Sequence, residues 1–148
     1  MLIRHMTSED IKEVSLIENE CFSMPWSEKS FLDSIKRLDT IFLVCVDTNC
    51  EKQKVIGYIG MYLSFDEGEI TNVAVLTEYR QKGIGKALIE GIKEIALQRQ
   101  IEKIFLEVRV SNIPAITLYQ KNGFQRIGIR KNFYEKPTED ANIMICEL

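Results

Sequence analysis

The spacing of apolar and polar positions divides the 148-residue chain into short β-rich runs and segments of helical period. Ile3 to Met6 reads as a first strand. Thr7, with Asp10 three residues on, forms a capping-box pattern ahead of Ile11, Val14, Ile17 and Cys21, so a helix follows. Pro25 interrupts that pattern, and Ser27 caps a second, short helix carrying Phe31, Leu32 and Ile35 on one face. Ile41 to Val46 and Val55 to Leu63 are rich in β-branched and aromatic residues and flank the polar stretch Asp47 to Lys54. They predict an antiparallel hairpin with a long loop, locally weakened at Gly57 and Gly60. Glu69 to Leu76 predicts another strand. The strongest helical repeat comes next, with Ile84, Ala87, Leu88, Ile92, Ile95 and Ala96 opposite Lys86, Lys93 and Gln100. Ile104 to Val108 reads as a strand, Pro114 suits the first turn of a helix reaching Tyr119, and Gly123 ends that helix at C′, closing a β–α–β unit. Phe124 to Ile129 and Asn142 to Glu147 predict the last two strands, joined by a polar loop, Arg130 to Ala141, that holds Phe133, Tyr134 and Pro137.

Neither a linker nor a repeat divides the pattern, so residues 1–148 are expected to form one domain, with about two thirds of the unfolded surface buried. Apolar residues make up 45% and charged residues 28%, which excludes a disordered or fibrous chain. A net charge of −3 without a dense basic block makes nucleic acid an unexpected direct ligand. The four cysteines, at 21, 45, 50 and 146, form no CxxC pair and read as reduced, partly buried thiols, with Cys50 exposed beside Asn49. With His5 as the sole histidine, no metal site or Cys-His nucleophile pair is expected. The amino terminus lacks the long apolar core of a signal peptide, and no run approaches the length of a membrane span. The expectation is a cytoplasmic protein with no membrane partner.

The candidate chemistry begins at Arg80-Gln81-Lys82-Gly83-Ile84-Gly85-Lys86, directly after Val73-Ala74-Val75 and at the start of the best helix. Glycines allow a ligand to approach the backbone closely, and the free N–H groups of a helix's first turn point at whatever sits there, so a pyrophosphate is the natural occupant. The P-loop pattern fails because its first glycine would fall on Arg80. The dinucleotide pattern fails because Leu88 stands where its third small residue belongs.

The pattern that fits resembles the acyl-coenzyme A loop of the GCN5-related N-acetyltransferases. The element order across nearly the whole chain is similar to that α/β fold, a mixed, mostly antiparallel sheet of about seven strands with about four helices. Within it, Leu106-Glu107-Val108-Arg109-Val110-Ser111-Asn112, Ala115-Ile116-Thr117-Leu118-Tyr119 and Asn122-Gly123-Phe124 resemble the bacterial ribosomal-protein alanine N-acetyltransferases. Pro25-Trp26-Ser27-Glu28 and Arg130-Lys131-Asn132-Phe133-Tyr134, with Glu139-Asp140-Ala141, extend the similarity to both flanks.

The resemblance implies acetyl-CoA as cosubstrate. Val73, Ala74 and Val75 would present backbone groups to the pantetheine arm as though it added a strand, and Gln81, Lys82, Gly83, Ile84, Gly85 and Lys86 would surround the pyrophosphate. Asn112 would bond the pantetheine or, on its own position, cap the helix entered at Pro114. Glu107 matches the family's proton acceptor and Tyr119 its proton donor. Trp26 and Tyr134 would flank a groove for an amino-terminal peptide, with the alanine terminus of a small-subunit ribosomal protein as the implied partner, while Phe22 reads as packing. Arg109 and Ser111 take no role. An α-amine titrates near 8 and lysine near 10.4, so freeing the former at neutral pH costs about 3.3 kcal/mol less, which favours a terminal amine. A lysine or small-amine acceptor, or a non-catalytic acyl-CoA sensor, is the competing reading.

Overall fold

The computed structural model describes residues 1–148. In chain order the elements are β1 (Leu2–His5), α1 (Ile11–Cys21), α2 (Glu28–Ile35), β2 (Thr40–Asp47), β3 (Lys54–Ser64), β4 (Glu67–Val75), α3 (Ile84–Gln98), β5 (Lys103–Arg109), α4 (Ile113–Lys121), β6 (Gln125–Tyr134) and β7 (Glu139–Glu147), with 3₁₀ turns at Ser8–Asp10 and Thr77–Tyr79. The seven strands form one sheet in the order β1-β2-β3-β4-β5-β7-β6. Every pairing is antiparallel except β4 with β5, which α3 joins by a crossover. The expected α/β class is therefore observed, with seven strands and four α-helices.

Two helical layers cover the sheet. Ile84, Leu88, Ile89, Ile92 and Ala96 of α3 pack on Leu43, Ile59, Ile104 and Leu106, and Ile11, Val14, Ile17 and Phe31 of α1 and α2 pack on Phe42, Val44 and Tyr58. Each fully buried Leu or Ile in these layers contributes about 1.5–3 kcal/mol, so the predicted apolar stripes are what seat the helices. The capping box opens the 3₁₀ turn rather than α1 itself. The Thr7 N–H donates to Asp10 Oδ2 at 2.8 Å, and Arg4 holds the same carboxylate through bonds of 2.8 and 2.9 Å.

Ser27 caps α2 by accepting the Ser30 N–H at 3.1 Å, and α4 closes into Gly123 at φ +91°. Gly60 does more than weaken β3. A Cβ there would stand 2.3 Å from the Phe42 ring, so the glycine admits that ring to the core.

Two expectations are corrected. The segment Arg130 to Ala141 is not mainly loop: β6 runs on to Tyr134 and β7 starts at Glu139, leaving only residues 135–138 to turn. β6 is an edge strand whose charged residues face solvent, and its pairing with β7 shifts register twice, between Arg126 and Gly128 and between Arg130 and Tyr134. The strand after α4 also does not lie beside β5, because β7 inserts between them.

Candidate functional site

β4 and β5 stay paired over only three positions, Glu67 to Glu69 against Lys103 to Phe105, and then part. β5 continues along β7 through Arg109 and β4 along β3 through Val75, so the two middle strands splay and leave facing main-chain edges unpaired. At the splay β4 also carries a bulge, with Gly60 opposite Asn72 and Met61 opposite Ile70, which turns Asn72 and Ala74 toward the α1 and α2 layer. A cleft of about 490 Å³ opens there.

Glu107, Asn112, Tyr119, Val73, Trp26 and Tyr134 all line this cleft. Ala74 and Val75 do not. Ala74 is buried in the core beneath α1, and the Val75 carbonyl is already occupied by Arg80 Nε at 3.1 Å. Residues 81–86 lie outside the lining, where the connection from β4 enters α3. Ile84 is a core residue, and Lys86 reaches Glu90 at 3.8 Å. What this loop can offer is main chain. Gln81 and Gly83 take positive φ, +60° and +81°, and nothing lies within 4 Å of a Cβ built on Gly83. The first intrahelical bond is Ala87 N–H to the Gly83 carbonyl at 3.0 Å, so the N–H groups of Ile84, Gly85 and Lys86 lie free at the helix start. An open glycine, free helix-terminal donors and an unpaired strand edge suit an extended phosphorylated ligand such as acetyl-CoA.

Asn112 caps α4, its Oδ1 accepting the Ala115 N–H at 3.3 Å, which commits the oxygen and leaves the amide nitrogen for the cleft. The Tyr119 ring packs at a tilt of 59° on Phe124 with centroids 5.8 Å apart, and its hydroxyl carries none of the fold's hydrogen bonds. Burial, with Tyr134 nearby, pushes that hydroxyl well above the usual tyrosine range and keeps it protonated at neutral pH. Burial, reinforced by Glu107, likewise holds Tyr134 up to about 12.

The Glu107 side chain is 10% exposed and meets Arg130 Nε at 3.4 Å. Behind it stands Glu69, which sequence reasoning missed. Burial first, and then the neighbouring Glu107 carboxylate, raises its pKa, while Arg130 opposes the shift. This carboxyl pair depends on β4 being the parallel neighbour of β5, a relation that no local motif announces.

Arg109 and Ser111 have structural partners. Arg109 donates to the Pro137 and Glu135 carbonyls at 2.9 Å each and to Glu139 at 3.1 Å, with its guanidinium 4.5 Å from the Tyr134 ring centroid. The Ser111 N–H donates to Glu139 Oε2 at 2.7 Å, and the Ser111 hydroxyl first, then this main-chain bond and Arg109, hold the Glu139 carboxyl below its ordinary range. Together they fix the turn that presents Tyr134. Phe22, read as packing, is instead 39% exposed on the cleft wall. α1 ends at Cys21, and Phe22 begins the extended segment beyond it. Trp26 is half-buried against Phe31, Phe42 and Tyr62.

Comparison with known proteins finds that residues 11–124 match the acetyltransferase (GNAT) family. The chain is 37% identical over 142 residues to a Bacillus subtilis (strain 168) protein provisionally named a ribosomal protein bS18-alanine N-acetyltransferase, covering 96% of this chain and 92% of that one. It is 32% identical over 146 residues to the Escherichia coli K12 ribosomal protein bS18-alanine N-acetyltransferase, covering 96% and 94%. The crystal structure of the E. coli ribosomal-protein-S18-alanine N-acetyltransferase superposes with a TM-score of 0.88 at 30% identity over 99% of this chain and 92% of that chain.

Proposed function

This chain belongs to the acetyltransferase (GNAT) family, and from that premise we propose that it transfers acetyl from acetyl-CoA to the α-amine of a protein amino terminus, the alanine terminus of ribosomal protein S18. The observation that carries the reading is the cleft at the β4–β5 splay, where Glu107 and the free Tyr119 hydroxyl line a common space.

Acetyl-CoA supplies an activated thioester. Val73 would hold the pantetheine arm through its main chain, with the amide nitrogen of Asn112 beside it. Ala74 and Val75 contribute the course of the strand. Gln81, Lys82, Gly83, Ile84, Gly85 and Lys86 would receive the pyrophosphate on their N–H groups. The acceptor enters from the side bounded by Trp26 and Tyr134. Glu107 takes the amine's proton, directly or through one water, as the nitrogen–carbon bond forms. Tyr119 gives its hydroxyl proton to the departing sulfur as the carbon–sulfur bond breaks. The transfer is direct, within a complex of enzyme and both substrates. Arg130 at 3.4 Å orients the Glu107 carboxylate, and its own half-exposed position keeps the pairing weak enough for the base to cycle.

Glu107→Gln tests the assignment. Turnover, followed as release of the coenzyme A thiol, should fall by about a hundredfold or more with acetyl-CoA affinity retained. Parent turnover in this variant from roughly pH 6 to 9 would remove Glu107 as the base.

A further inference from the structure

The proposed reaction makes no use of Glu18, a carboxylate on the cleft lining. Glu18 lies on the buried stripe of α1, one helical turn beyond Val14, and is 1% exposed, with no arginine or lysine paired to it. Three different elements satisfy it. Oε1 accepts the Tyr58 hydroxyl from β3 and the Asn72 amide from β4 at 3.2 Å, and Oε2 accepts the Trp26 main-chain N–H at 2.9 Å. Burial first, and then the neighbouring Glu18 carboxylate, push the Tyr58 hydroxyl far above its usual range, so it stays a donor.

The bond to Trp26 is the unusual one. Residues 22–27 connect α1 to α2 and carry Met24, 54% exposed, and Trp26 onto the cleft wall. Phe22 N–H still bonds back to the Glu18 carbonyl at 3.0 Å, and Phe31 N–H starts α2 from Ser27 at 3.2 Å. Between those two points the main chain is tied to the rest of the molecule through Glu18 alone. The carboxylate is in turn aimed by groups on β3 and on β4 at Asn72, beside the bulge where the cleft opens. A carboxyl group held this deeply without a cation is costly unless hydrogen bonds satisfy it, and here the wall segment supplies one of them.

We propose that Glu18 is the positioning residue for the acceptor side of the cleft: it clamps the Phe22–Trp26 wall in register with β4 and so sets how tightly, and with how bulky a first residue, an amino-terminal peptide binds. The inference rests on the acetyl-transfer reading for its substrate, though the clamp itself does not. Glu18→Gln keeps an oxygen for Trp26 and lets the Tyr58 hydroxyl turn to accept the new amide. Glu18→Ala keeps neither.

Steady-state kinetics on both variants, with acetyl-CoA and peptide varied separately, provides the test. In Glu18→Ala the peptide KM should rise about tenfold or more, and the preference for an alanine-first over a leucine-first peptide should shrink. The acetyl-CoA KM and the kcat at saturating peptide should stay within about threefold, and Glu18→Gln should restore most of the peptide KM. An unchanged peptide KM in Glu18→Ala, or equal loss in both substrates' KM, overturns the proposal.

Amide hydrogen exchange on the parent tests the clamp without any variant. Trp26 N–H should be protected well above its neighbours Ser23 and Met24, and exchange as fast as theirs overturns the clamp even where Glu18→Ala does not fold. If the parent acetylates no peptide, the acetyl-transfer reading fails while the exchange result still decides the clamp.

Discussion

Tyr119→Phe separates chemistry from packing more cleanly than any other substitution in this cleft. The residue is 5% exposed and its ring lies against Phe124, so the replacement keeps the aromatic contact and removes only an oxygen. That oxygen makes no hydrogen bond within the fold, so its loss leaves no buried donor or acceptor orphaned and should change stability by less than about 1 kcal/mol. For a domain of this size that is a shift in Tm of a few degrees at most. If the hydroxyl protonates the leaving sulfur, kcat should fall by about 10² to 10⁴, or roughly 2.7 to 5.4 kcal/mol of barrier. The two effects differ by several-fold in energy, so one cannot be mistaken for the other. Burial raises the hydroxyl's pKa, so its proton is present throughout roughly pH 6 to 9, and the parent should show no alkaline loss of kcat from this group in that range. Thiol release at saturating substrates, with a thermal melt on the same sample, provides the assay. Parent kcat at an unchanged Tm would refute the acid role. A kcat loss matched by a collapse in Tm would mean that the hydroxyl supports the fold rather than the chemistry.

Two further outcomes follow from the same geometry. Gly83→Ala meets no neighbouring atom within 4 Å but must hold φ near +81°, so stability should drop by about 1 kcal/mol. If the loop's main chain holds the pyrophosphate, acetyl-CoA affinity by calorimetry should fall by about tenfold more than that strain explains, and unchanged affinity would remove the loop from the site. Glu69 has a raised folded pKa, so the native state binds its proton more tightly than the unfolded chain. Its ionisation therefore costs stability as pH rises from the ordinary glutamate range through the folded value. Glu69→Gln should thus have a higher Tm than the parent at neutral pH and a similar Tm below about pH 4, and a Tm difference that does not vary with pH would contradict the pairing with Glu107.

The parts of this molecule that were legible in the sequence are those that local physics decides. The stripe Ile84, Leu88, Ile92 and Ala96 could only be a helix packed on a sheet, and Ser27, Asn112 and Gly123 marked helix ends by their own side chains or lack of one. β6 was cut short because an exposed edge strand of charged residues has the composition of a loop. Glu18 was overlooked on a stripe read as Ile11, Val14, Ile17 and Cys21, although a lone carboxylate on an apolar helix face is itself a signal that something buried must receive it. Nothing local could reveal Glu69 beside Glu107, or Arg109 and Ser111 on Glu139. The first pair depends on which strands become neighbours, and the second on a turn some thirty residues away.

The reaction itself is tested most directly by mass spectrometry of acetyl transfer from acetyl-CoA to two peptides. One has a free alanine amino terminus, and the other is amino-blocked with an internal lysine. The account predicts a single acetyl group on the free terminus and none on the lysine. Acetylation of the lysine peptide alone would contradict the α-amine assignment, and acetylation of neither, with acetyl-CoA bound, would contradict the proposed acceptor.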